Sequence, residues 1–278
     1  MKEDNKTEIT IHPQSEQQLL QDNVFYCKNC LDEEGQIAFV KECTSLMKED
    51  CNAKLLSNLT GDTYDFAQSV LFYNWPSQPE SLKLIESAKP DGILNLGDQL
   101  HQKAYREFSS TGQSTDNEEQ SVVNIPESFS PRALYGILYQ PGSSFGAHQD
   151  GANGWTIALS LGSDADFFYL SLEASQRIAQ RIKKHEKSEG RRATNEIITQ
   201  SVRQEPDSER NYIRVKSGDA LLFNGGQLFH GVSKVYSDTP EFWKNSIFAK
   251  NGMTRFNLQF RDPFRDTLTY NPYFEHKD

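Results

Sequence analysis

His148 and Asp150 stand two residues apart in the stretch GAHQDGANGW, Gly146 to Trp155. On a strand, or at its end, residues i and i+2 point the same way, so an imidazole and a carboxylate placed like this can meet one ion. The spacing alone is a weak signal, because H-x-D pairs also arise by accident. A second histidine, His230, lies in the apolar run LFHGV. A lone histidine at a strand position is usually a core residue. This one follows a strand, a turn and a strand: DALLF, NGG, QLFHGV. The pattern reads as a hairpin that carries His230 across a core toward His148 and Asp150. Two imidazoles and a carboxylate make the facial triad that binds Fe(II) and leaves positions open for oxygen and a co-substrate.

The stretch RFNLQFR, Arg255 to Arg261, alternates strictly. Phe256, Leu258 and Phe260 face one way, and Arg255, Asn257, Gln259 and Arg261 the other. The plain alternative is a polar face turned to solvent. If the polar face looks inward, its guanidinium groups need anions. A dicarboxylate such as 2-oxoglutarate supplies them through bidentate pairs.

These residues need a β framework. From Ala133 onward, short β-type runs follow one another: ALYGILY, WTIALSL, DFFYL, NYIRV, ALLF and RFNLQF, with turn residues in most gaps. Such a series predicts a β-sandwich or barrel. The polar stretch 173–210 interrupts it and reads as an insertion, partly helical and mobile. Upstream, Ile37, Val40, Cys43, Leu46 and Met47 recur at helical spacing within 32–50, and Leu96, Leu100, Ala104 and Phe108 mark one face of a helix over 94–108. TYDFAQSVLFYNW, from Thr63, is strand-like. Residues 1–22 read as a polar, poorly ordered tail, 23–129 as a mostly helical region packed on the β-core of 130–265, and 266–278 as a C-terminal tail.

The chain has 278 residues, 36% of them hydrophobic, which is enough for a large globular core. Neither a membrane-spanning run nor an apolar signal core is present, so a soluble, intracellular protein of cytoplasm or nucleus is expected. Lys and Arg number 29 against 39 Asp and Glu, a net charge of −10. That balance does not favour sequence-independent grip on nucleic acid, which needs clustered positive charge. One segment is locally basic, RIAQRIKKHEKSEGRR from Arg177 to Arg192: a solvated face or a phosphate-contacting arm. All four cysteines, Cys27, Cys30, Cys43 and Cys51, lie early in the chain. The CKNC motif lacks a second pair at zinc spacing, so reduced, non-ligand thiols are expected.

Taken together, HQD at 148–150, the GD at 218–219 followed by His230, and RFNLQFR at 255–261 resemble the AlkB family of Fe(II)- and 2-oxoglutarate-dependent dioxygenases. YQPG at 139–142 and IALSLGSDADF at 157–167 extend the resemblance over about 130–265. It implies an α+β fold: a double-stranded β-helix, or jelly-roll, core with N-terminal helices and a substrate lid. It implies that His148, Asp150 and His230 ligate iron. Tyr139 and Arg255 would hold the distal carboxylate of 2-oxoglutarate, and Asn257 and Arg261 would support its metal-chelating end. With O2, 2-oxoglutarate would go to succinate and CO2 as a substrate C–H is hydroxylated. The implied partner is methylated DNA or RNA, acted on by a monomer; a protein or metabolite substrate is the alternative, and a binding scaffold without activity a third reading.

The match departs from the bacterial repair enzymes at Ala152, where they carry a second acid, at Ile137, where they carry an asparagine, and at Phe223, where they carry a tryptophan. In nucleic-acid members of the family aromatic residues sandwich a flipped base; Tyr64, Phe66, Phe72, Tyr73 and Trp75 are available for that, with packing in the core as the plainer reading of each.

Overall fold

The computed structural model describes residues 9–48, 54–56, 67–74, 91–109, 125–129, 131, 133–150, 154–250 and 252–263. Its strands are β1 (Glu16–Leu19), β2 (Phe25–Lys28), β3 (Lys54–Leu56), β4 (Ala67–Asn74), β5 (Ala133–Tyr139), β6 (Phe145–His148), β7 (Gly154–Gly162), β8 (Ala165–Leu170), β9 (Arg210–Val215), β10 (Ala220–Asn224), β11 (His230–Val235) and β12 (Arg255–Pro263). Its helices are α1 (Glu33–Lys48), α2 (Asp91–Ser109), α3 (Leu172–Glu189), α4 (Asn195–Arg203) and two single turns, α5 (Glu241–Lys244) and α6 (Ile247–Lys250).

Two antiparallel sheets form a jelly-roll. The larger runs β1-β2-β10-β7-β12-β5-β4-β3 and the smaller β6-β11-β8-β9. Every residue of β7 is buried, as a central strand covered on both faces requires. The alternation of β12 separates two environments. Phe256, Leu258 and Phe260 join the cluster that packs the large sheet against α1 and α2 through Phe39, Cys43, Ile93, Leu96 and Leu100. Arg255, Asn257 and Gln259 point between the sheets and are also buried. The polar face of RFNLQFR therefore looks inward, and the solvent-facing alternative is excluded.

The N-terminal region differs from the expectation. Residues 9–22 were expected to be poorly ordered, yet they hold β1, and Leu20 N donates to Val24 O at 2.8 Å. The region 23–129, expected to be mostly helical, also supplies β2 at one side of the large sheet and β3 and β4 at the other. Outer strands need only backbone pairing, so their sequences can be polar and lack alternation. Asp32 starts α1 by accepting the Gly35 amide at 2.8 Å. The side chains of Leu46 and Met47 in the expected α1 stripe, and residues 49–53, 57–66, 75–90 and 110–124 of the region expected to carry the lid, lie outside what is described.

The 173–210 insertion joins two adjacent antiparallel strands, β8 and β9, as an elaborated hairpin. The expected partly helical insertion takes the form of two capped helices, with Ala174, Ile178 and Val202 packed on Leu170 and Phe229. Arg177 pairs with Glu205 at 2.7 Å and with Glu209 at 3.1 Å, and Arg181 also pairs with Glu205.

Candidate metal and co-substrate site

His148 ends β6, and His230 begins β11, directly opposite it. Ligand atoms of His148, Asp150 and His230 all lie within 4.8 Å of one another. His148 Nε2 is 3.9 Å from Asp150 Oδ1, and His230 Nε2 is 4.0 Å from the same oxygen. Gly231 makes the strand approach possible, because a Cβ there would meet the Phe145 carbonyl at 2.4 Å.

His230 does not arrive by a hairpin. β10 lies in the large sheet and β11 in the small one, so the NGG turn crosses the interior instead of folding a strand pair. The crossover delivers the histidine to the place the hairpin reading assigned it.

Each imidazole has one nitrogen committed. His148 Nδ1 donates to Gly146 O at 2.9 Å, and His230 Nδ1 to Leu228 O at 3.0 Å. A carbonyl only accepts, so both Nε2 atoms carry lone pairs directed at the site. Among the described residues, buried His230 Nε2 has no hydrogen-bond partner. Burial is the largest influence on both rings and holds them below the ordinary histidine range; for His148 the neighbouring His230 adds to it. Burial alone would raise the Asp150 carboxyl, but Arg261 and the two histidines hold it below its ordinary value. Two neutral imidazoles and one carboxylate, with a buried lone pair unmet, fit a divalent metal.

The β12 residues continue the site. Arg255 lies opposite Tyr139 of β5 and Gly162 of β7, and Asn257 opposite Ile137 and Ser160. Tyr139 is buried. Arg255 Nη1 donates to Ser163 O at 2.8 Å and Nη2 to Ser160 Oγ at 2.6 Å. Burial pushes its guanidinium down to about 10. Among the described residues it has no salt bridge, and its Nε and Asn257 Oδ1 have no hydrogen-bond partner. A buried cation without a counter-ion, beside unmet polar atoms, fits a carboxylate ligand. Arg261 takes another part: Nη2 reaches Asp150 Oδ1 at 2.6 Å and Gln259 Oε1 at 2.6 Å.

Three contributors escaped the sequence reading: Thr156 and Ser160 on β7, and Ser163 just after it. Thr156, Ala158 and Ser160 alternate with Ile157, Leu159 and Leu161, and that period-2 run of small residues inside an apolar strand is the signal available. Phe223 is 1% exposed and sits between His230, edge-on at 4.7 Å, and Phe167. Asp219 of the GD pair is structural, accepting from Tyr26 Oη at 2.6 Å and from the Asn29 and Lys216 amides at 2.8 Å. Cys27, Cys30 and Cys43 are buried free thiols. Tyr64, Phe66, Trp75 and Ala152 lie outside the described residues, as do the side chains of Phe72 and Tyr73.

A family model for the 2OG-Fe(II) oxygenase superfamily matches residues 24–261. The chain belongs to the 2OG-Fe(II) oxygenase superfamily. Oxygenases of this kind use Fe(II), 2-oxoglutarate and O2, and the histidine–aspartate–histidine cluster fits the iron. Among solved structures, the oxygenase is similar to OsALKBH1, with a TM-score of 0.56 and 19% identity over 89% of this chain and 100% of that one. It also matches the non-heme alpha ketoglutarate dependent carbocyclase SnoK from nogalamycin biosynthesis, with a TM-score of 0.45 and 12% identity over 87% of this chain and 80% of that one. No curated protein matches the sequence. Among the described residues, no helix is long and apolar enough to cross a membrane.

Proposed function

We propose that this oxygenase removes methyl groups oxidatively from bases of DNA or RNA. The observation that carries the reading is the inward polar face of β12 set beside the triad. It combines a buried, uncompensated Arg255 with Arg261 on the metal-side carboxylate, in the R-x-N-x-x-x-R order of the AlkB resemblance. The fold likeness to OsALKBH1 points the same way.

His148, Asp150 and His230 would hold the iron, already neutral or anionic as ligands must be. Arg255 and Tyr139 would bind the distal carboxylate of 2-oxoglutarate, with Asn257 and Arg261 toward its other end. Bound Fe(II) supplies the oxidising chemistry, in which 2-oxoglutarate and O2 become succinate and CO2 while one oxygen atom enters a substrate C–H bond. On an N-methyl carbon, the resulting N-hydroxymethyl group breaks down to formaldehyde and the free base.

The exposed Lys183, Lys184 and Lys187 of α3, with Arg191 beyond it, support a nucleic-acid partner. One observation favours the second reading, a protein or metabolite substrate. Arg177 and Arg181, the first cations of that segment, are taken up by Glu205 and Glu209. The deciding experiment supplies Fe(II)-loaded protein with 2-oxoglutarate, air and single-stranded DNA or RNA, with or without N-methylated bases. Succinate and formaldehyde that rise together only with a methylated strand support the demethylase. Succinate that ignores every oligonucleotide moves the substrate to the second class.

A further inference from the structure

We propose that Thr156 is a positioning residue that occupies one oxygen of the Asp150 carboxylate and so leaves Asp150 a single oxygen for the metal. The inference rests on the metal-site reading above. Thr156 is 2% exposed, and its Oγ1 donates to Asp150 Oδ2 at 2.9 Å. The same oxygen is backed by Gly225, where an added Cβ would lie 2.0 Å from it and 3.1 Å from Thr156 Oγ1. The Gly225 carbonyl also accepts the Asp150 amide at 2.8 Å. Oδ2 is thus held in a slot between a hydroxyl and bare backbone, while Oδ1 faces both histidine Nε2 atoms and also takes Arg261 Nη2 at 2.6 Å. Thr156 lies opposite Phe223 of β10 on one side and Arg261 of β12 on the other.

The chemical consequence is a count of positions. A carboxylate that binds through one oxygen leaves room for a two-toothed 2-oxo acid and for oxygen; one that binds through both takes a further position. Replacing the hydroxyl with a methyl group of similar size removes the donor from Oδ2 and frees that oxygen to turn inward.

The test uses Mn(II), which reports the number of coordinated waters through proton relaxation. Wild type, Thr156→Val and Thr156→Ser are saturated with Mn(II), with binding followed by calorimetry and folding by thermal melting. Saturated T156V is expected to lose roughly a third of the wild-type relaxivity, one of about three open positions, while T156S keeps it. Wild-type relaxivity in folded T156V would overturn the proposal. So would an equal loss in T156S, since the methyl group and not the hydroxyl would then matter. If T156V does not fold, T156A against T156S is judged by the same criterion. A wild type that binds no Mn(II) would overturn the site reading itself, and with it this inference; a wild type that binds, with T156V unchanged, would overturn the inference alone.

Discussion

His148 and His230 face each other across the β6–β11 pair with ring centroids 4.4 Å apart, and each points Nε2 at one oxygen of Asp150. The two rings are fixed from behind by the carbonyls of Gly146 and Leu228. A metal entering here meets ligands that are already oriented, so affinity is not spent on ordering them.

That geometry sets the pH response. Burial keeps both imidazoles neutral below the ordinary histidine value of about 6.5. Binding of Co(II) should displace no proton between about pH 6 and 7.5, so the affinity should stay flat, within about threefold. A solvated pair of histidines would lose affinity steadily as pH falls through that range. The sign for stability follows from the same shift. Unfolded histidines take up protons below about 6.5 and the folded ones do not, so the metal-free protein is fully stable above that value and loses stability as pH drops below it. Calorimetric Co(II) titrations and melting curves at several pH values check both.

Gly225→Ala should disable the metal site without unfolding the protein. The added methyl would sit 2.0 Å from Asp150 Oδ2 and 2.8 Å from its Cγ, and the carboxylate must swing away. The fold should lose about 1–3 kcal/mol, while Co(II) affinity drops by roughly 10- to 100-fold. An unchanged titration in a well-folded variant would contradict the close approach of Gly225 to the carboxylate.

Arg255→Gln separates the co-substrate from the metal. Binding of 2-oxoglutarate to the Co(II)-loaded protein should weaken by at least about 30-fold, as for loss of a buried charge partner. Co(II) affinity should stay within about threefold. Without 2-oxoglutarate the variant should melt no lower than wild type, because Arg255 is then a buried cation that has no salt bridge among the described residues. Arg255→Lys should not restore binding, since an ammonium cannot form the same paired hydrogen bonds.

Charge reversal on α3 tests the nucleic-acid reading. Changing Lys183, Lys184 and Lys187 to Glu should weaken single-stranded oligonucleotide binding. It should also flatten the salt dependence by about 0.7 for each phosphate that is no longer neutralised. Succinate formation without an oligonucleotide should not change. Equal affinity of variant and wild type at every salt concentration would remove α3 from the interface.

The site was more legible in the sequence than the framework around it. H-x-D, LFHGV and the alternating RFNLQFR are local patterns; each alone has a plainer reading, and it is their combination that points to one site. The route of His230 to the others is not local, because an NGG turn looks alike whether its strands pair or cross between sheets. The partners of Arg177 and Arg181 lie more than twenty residues away, at Glu205 and Glu209, and no local window shows them. Residues 16–19 resemble a tail because EQQL has no apolar face, and an outer strand needs none. Thr156 is hidden inside an apolar run, where one hydroxyl reads as an ordinary β-branched residue until Asp150 is seen beside it.

Succinate formation from 2-oxoglutarate bears on the metal centre without any need to know the substrate. Wild-type protein and Asp150→Ala are loaded anaerobically with Fe(II), then opened to air. A centre built on His148, Asp150 and His230 requires Fe(II)-dependent succinate from wild type and none above background from D150A, with both proteins folded. Equal succinate from the two would contradict it.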